Sequence, residues 1–124
     1  MNSSSKSVTL TLDMTGFNFD GFSNGKMTVN VPEGWSVTVQ CNNKSTIPHS
    51  CAIVQSTSST SPAFSGASTS DPTTGLQPNT SGSFTFTASS TGQFKIGCLV
   101  PGHMSAGMWD NFNVTSSGSP SIST

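Results

Sequence analysis

A chain of 124 residues is the size of one domain and is long enough to bury a true core. Its formal net charge is -1 and only 7% of its residues are charged, so four basic side chains offer no stripe for nucleic acid and no polybasic patch for anionic lipid. A surface dressed in Ser, Thr, Asn and Gln changes charge little as pH falls. Protonation of carboxylates drives much of acid denaturation, so the composition suits an acidic medium outside the cell.

Residues 1–7 are polar and read as a flexible tail. Val8-Thr9-Leu10-Thr11-Leu12-Asp13-Met14 then alternates apolar and polar side chains, the period of a half-buried strand. Phe17, Phe19 and Phe22 follow among glycines and read first as core plugs, with a place at a functional site as the secondary reading for one of them. Ser23-Asn24-Gly25 is a turn signal, and Lys26 to Val31 reads as a second strand. After the turn Pro32-Glu33-Gly34, the third strand, Trp35 to Cys41, points Trp35, Val37, Val39 and Cys41 inward. Asn42 to Thr46 is polar loop. Ile47 to Gln55 resumes as strand with Pro48 near its start, and parity puts His49, Cys51 and Ile53 on one face.

Ser56 to Gly82 is rich in Ser, Thr, Gly and Pro. A structureless loop of that length is uncommon in a compact domain, so it is expected to lie along the body, pinned by Phe64 and Leu76. Ser83–Ala88, Gln93–Cys98 and Trp109–Thr115 supply the remaining strands, and 116–124 reads as a second flexible tail. No stretch has helical periodicity. Seven to eight short strands with frequent turns predict an all-β Greek-key sandwich over residues 8–115. No signal peptide or transmembrane run is recognisable, and the polar ends suggest a domain cut from a longer exported or membrane-tethered precursor. The N-x-[ST] triplets at Asn43, Asn79 and Asn113 permit glycosylation, though a Ser/Thr-rich chain yields such triplets by chance.

The chemistry concentrates near the C-terminus. Cys98, His103 and Met108 are separated by four residues each, and the other histidine, His49, lies far upstream. One thiolate, two imidazoles and a weak thioether are the ligand set of a mononuclear blue-copper site, whose near-trigonal plane suits both Cu(II) and Cu(I). The spacing has a mechanical reason. Cys98 ends one strand and Trp109 begins the next, so a tight loop turned by Pro101-Gly102 and Ala106-Gly107 can bend three ligands around one ion. A lone buried Cys is usually a small hydrophobe and a lone His usually no ligand. The matching order of two histidines, a cysteine and a methionine overrides both priors. Met104 is the rival to Met108 and reads better as apolar surface near the site. Cys41 and Cys51 point inward near one end of the sandwich and are candidates for a disulfide; two free thiols, or a zinc site with His49, are the alternatives.

Ile47-Pro48-His49-Ser50, Gly97-Cys98-Leu99-Val100-Pro101-Gly102-His103 and Gly107-Met108-Trp109, with Asn30 to Val39, resemble the cupredoxins, and specifically the sulfocyanin and rusticyanin branch from acid-living microbes. The Cys41/Cys51 pair departs from that pattern. The resemblance implies a β-sandwich with one type 1 copper held by His49, Cys98, His103 and Met108. It implies an electron carrier rather than an enzyme, working outside the cytoplasm in a respiratory chain. Ser50 follows a ligand where many cupredoxins carry Asn, and is expected to tie the two ligand segments together. Redox partners, a cytochrome or a terminal oxidase, are expected to dock a monomer near His103, whose neighbours Val100, Pro101, Met104 and Ala106 are uncharged. No nucleic acid or small-molecule substrate is expected. The alternatives are a copper carrier or chaperone, a small copper enzyme and a structural zinc module. With two histidines in all, the chain has none left for a second copper centre.

Overall fold

The computed structural model describes residues 2–124, which form eight strands and no helix. The strands are β1 (Ser7–Met14), β2 (Thr28–Pro32), β3 (Ser36–Asn43), β4 (Ala52–Val54), β5 (Ser81–Thr87), β6 (Gly92–Gly97), β7 (Trp109–Thr115) and β8 (Ser121–Ser123). One sheet has the order β1-β3-β5 and the other β4-β6-β7-β2-β8.

The period-two alternation seen in the sequence is what closes the sandwich. Leu10, Leu12 and Met14 of β1, Val37, Val39 and Cys41 of β3 and Phe84 and Phe86 of β5 are buried on the inner face of one sheet. Val29 and Val31, Phe94 and Ile96, and Phe112 and Val114 meet them from the other. Each Thr or Ser between them faces outward, and the Thr38 and Thr85 hydroxyls bond across the strands at 2.9 Å.

β1 runs parallel to β3, and β2 parallel to β7. Parallel neighbours cannot be joined by a tight turn, so the chain crosses between sheets after β1 and again after β2. Asn24-Gly25 is therefore a true turn, with both residues at positive φ, but no hairpin.

Two expectations are corrected. The strand expected over Ile47–Gln55 is regular only at Ala52–Val54, and His49 makes an isolated bridge to Leu76. All three β4 residues are buried, because Ala52 and Val54 pack under a second apolar cluster with Leu99 and Met104. Met104 is accordingly core: Gly97 leaves room for it, since a Cβ there would sit 2.5 Å from Met104 Sδ. At the C-terminal tail, Ser121–Ser123 pairs antiparallel with β2, whose outer edge would otherwise present unpaired backbone groups. At the N-terminus, Asn2 and Ser7 exchange backbone hydrogen bonds.

The long segment 56–80 is laid along the body. Phe64 enters the core beside Phe86 and Phe94, with ring centres 5.3 and 4.8 Å away, and Leu76 packs against the same core. Asp110, buried in β7, accepts the Met27 N–H at 3.2 Å, and burial pushes its carboxyl up to about 6.

Candidate metal centre

Two stretches far apart in the chain converge at one end of the sandwich. His49 lies on the segment between β3 and β4, and both of its backbone groups are bonded to Leu76. Its N–H donates to Leu76 O at 3.2 Å and its carbonyl accepts the Leu76 N–H at 2.7 Å. Asn43, buried at the end of β3, donates its amide hydrogens to the carbonyls of Ile47 at 2.9 Å and Leu76 at 2.8 Å, tying the two segments. That amide is satisfied and enclosed, so the Asn43 triplet is closed to a glycan.

Cys98 follows the last residue of β6. From there to β7 the chain is a run of turns: His103 N–H donates to Val100 O, Gly107 N–H to Met104 O and Met108 N–H to His103 O, each within 3.1 Å. Cys98 N–H closes the loop on Met108 O at 3.4 Å. The Asn24-Gly25 turn braces this loop from outside. Asn24 N–H donates to Gly107 O and Gly25 N–H to Trp109 O, and the Asn24 amide lies 2.8 Å from where a Cβ on Gly107 would stand. Trp109 is held in turn by Lys95, 5.0 Å above its ring, which also donates to Asn111 at 2.7 Å.

The result is a cluster of three donor atoms within 4.8 Å of one another, from His49, Cys98 and His103. The two histidine Nδ1 atoms are 3.1 Å apart, and Cys98 Sγ is 3.3 Å from His103 Nδ1. Met108 is fully buried in the same core as Cys98, and its backbone bonds to both His103 and Cys98. Met104 faces the other cluster, away from this competition.

The electrostatics of the cluster suit a cation. Burial and the neighbouring His103 push His49 down to about 4, and burial lowers His103 as well, so both rings are neutral donors. Burial raises the Cys98 thiol, opposed by the backbone N–H of Ser50. Nε2 of His49 is buried without a partner, so Nδ1 carries the ring's polar contact. Two neutral ring nitrogens and a sulfur facing one another have few protons to share. A soft cation would satisfy all three at once, and it would displace the Cys98 proton on binding.

Ser50 joins the two ligand segments. Its N–H donates to Cys98 Sγ at 3.3 Å, and its hydroxyl accepts the Leu99 N–H at 2.9 Å while lying 3.7 Å from the sulfur. Cys41 and Cys51 are bonded sulfur to sulfur, with Cα atoms 6.5 Å apart, linking β3 to the segment that carries His49. Neither belongs to the His49–Cys98–His103 cluster.

Asn43, Gly75-Leu76 and the Asn24-Gly25 brace escape a reading of the sequence. One signal was present: Asn43 continues the inward parity of Val37, Val39 and Cys41, and a polar residue on a buried face needs internal partners.

The chain matches the family model described as "SoxE: Sulfocyanin (SoxE) domain" over residues 1–122. It is 30% identical over 126 aligned positions to the sulfocyanin of Sulfolobus acidocaldarius, covering 87% of this chain. The chain spans 63% of the length of that curated relative. Among solved structures it is similar to auracyanin A, a "blue" copper protein of Chloroflexus aurantiacus, at 20% identity over 88% of this chain and 99% of that one, with a TM-score of 0.65. It is also similar to the copper protein rusticyanin, at 25% identity over 89% and 78% of the two chains, with a TM-score of 0.60.

Proposed function

Because the chain belongs to the sulfocyanin family, we propose that it is an electron carrier holding one type 1 copper through His49, Cys98, His103 and Met108. The observation that carries the reading is the convergence of His49, Cys98 and His103 within 4.8 Å from segments about fifty residues apart. Copper supplies a one-electron couple there, Cu(II)/Cu(I), whose two states tolerate one near-trigonal donor set.

The protein's part is to keep the donors still and dry. The Leu76 bridge fixes the His49 backbone, the turns of 98–108 fix the other donors, and Ser50 locks one segment to the other. The Ser50 N–H points at the sulfur that gives up its proton, which stabilises the thiolate. His49 and Cys98 are closed to solvent, and a dry surround favours the less charged state of the couple. A donor set that scarcely moves between oxidation states exchanges an electron with little reorganisation. Both histidines of the chain lie in this cluster, which favours a shuttle over a copper enzyme.

His103 is the half-buried donor, and exposed Phe17, Ile47, Pro101 and Ala106 supply apolar surface at this end. That surface suits brief docking of a cytochrome or terminal oxidase on a monomer, with association that depends weakly on salt. Low charge and a disulfide support work outside the cytoplasm, in the respiratory chain of an acid-living microbe.

The test is the absorption and EPR spectrum of the chain loaded with Cu(II). An intense visible thiolate-to-copper band, lost in Cys98→Ser, with reversible voltammetry and no turnover of oxygen or nitrite, is the expected result. A colourless chain overturns the reading.

A further inference from the structure

Phe17 is the odd aromatic of its segment. Phe19 is fully buried and Phe22 is half-buried against the core, whereas Phe17 remains 43% exposed. A single exposed Phe is ordinary, but this ring is engaged. It stands edge-on to both imidazoles, its centre 5.0 Å from that of His103 at an interplanar angle of 89°, and 5.8 Å from that of His49 at 77°. The two imidazole centres are themselves 5.0 Å apart, so the three rings form a triangle.

The segment that presents Phe17 is fixed on either side of it. Asn18 Oδ1 accepts the Thr15 hydroxyl at 3.1 Å and the Gly21 N–H at 3.2 Å. Phe19 and Phe22 exchange both backbone hydrogen bonds at 2.9 Å. Asp20 reaches back to β1, its N–H donating to Asp13 O at 2.8 Å and its carboxylate accepting the Asp13 N–H at 2.7 Å. The ring is thus held over the histidines by a built loop. It touches both imidazoles and also faces water.

We infer that Phe17 is a positioning residue of the metal centre: its ring holds the His49 and His103 imidazoles turned toward Cys98 and slows exchange of the bound ion with solvent. This rests on reading the cluster as that centre. An edge-on aromatic pair contributes about two- to tenfold to an equilibrium beyond the area it buries, and two such pairs are lost together when the ring is removed.

The experiment uses the full chain and its Phe17→Ala and Phe17→Tyr variants, with Cu(II) alone as the probe. Stopped-flow absorbance follows the rise of the thiolate-to-copper band, and then its loss to excess EDTA. Removing the ring in Phe17→Ala is expected to speed release by about tenfold or more relative to uptake. The metal-free chain should stay folded with a modestly lower unfolding midpoint, since the two edge-on pairs are lost there too, and Phe17→Tyr should restore it. Phe17→Tyr keeps the ring and is expected to return both rates to the wild-type values. Wild-type rates in Phe17→Ala, or exchange as fast in Phe17→Tyr as in Phe17→Ala, overturn the inference while leaving the metal reading intact. A wild-type chain that takes up no Cu(II) overturns both.

Discussion

Ser50 shows how much one small side chain can hold. Its hydroxyl is the acceptor for Leu99 N–H in a fully enclosed place, and its backbone N–H serves the Cys98 sulfur. Ser50→Ala keeps the second bond and strands the first donor. A buried N–H without a partner costs about 1–3 kcal/mol, so the variant should unfold at correspondingly lower urea. The thiolate-to-copper band should shift as the Leu99 backbone next to Cys98 is freed, and an unchanged midpoint would count against the tie. At Asp13 the effect is electrostatic and depends on pH. Hydrogen bonds from Asn42 at 2.9 Å and Lys44 at 3.1 Å hold its carboxyl below the ordinary range. A carboxyl lowered in the folded state contributes stability above its unfolded value, and that contribution is lost as pH falls through the folded value. Asp13→Asn should therefore melt below wild type at pH 6, and the gap should close as pH falls through the folded value. The effect is small, because the pair is exposed to solvent.

Among the elements, the 56–80 segment is less idle than its composition suggests. Gly75 has φ +84, and a Cβ there would stand 2.9 Å from Val100 Cγ2 and 3.1 Å from both the N and O of His49. The glycine lets Leu76 bridge His49 at van der Waals distance from the Cys98–Met108 loop. Gly75→Ala combines an unfavourable backbone region with a collision against backbone atoms that cannot rotate away. We expect a loss of roughly 1–3 kcal/mol in chemical unfolding, with altered nitrogen hyperfine structure in the EPR of the copper-loaded protein. An unaltered spectrum would mean that this loop only fills space. The same logic explains why the alternation of 47–55 misled. Alternation presumes one wet face, and β4 has none, since Ala52 and Val54 pack on Leu99 and Met104.

The sandwich is stapled by a disulfide between β3 and the segment that carries His49. The Cys41–Cys51 bond closes a loop of ten residues across the turn from β3 to His49. By chain entropy such a link contributes about 3 kcal/mol, chiefly by restricting the unfolded chain. Cys41→Ser with Cys51→Ser should lower the unfolding free energy measured in guanidinium by that amount. The visible band should survive, because neither sulfur is in the donor cluster. Loss of the band would mean that the link also holds His49 in place.

Most of the sandwich and the donor types were legible in the linear chain. Alternation encodes burial through the fixed two-residue repeat of a strand, and a soft thiolate with two imidazoles and a thioether encodes a metal class through ligand chemistry. The rest depends on which strands become neighbours, and local patterns carry no information about that. Asn24-Gly25 has the chemistry of a hairpin turn, yet because β1 and β2 enter different sheets it braces the loop of His103 and Met108 instead. Phe17 is one of three similar phenylalanines until folding leaves it standing over two imidazoles. Leu76 is an ordinary apolar residue in a polar loop until it meets His49. Contacts between residues far apart along the chain arise only when the backbone closes on itself.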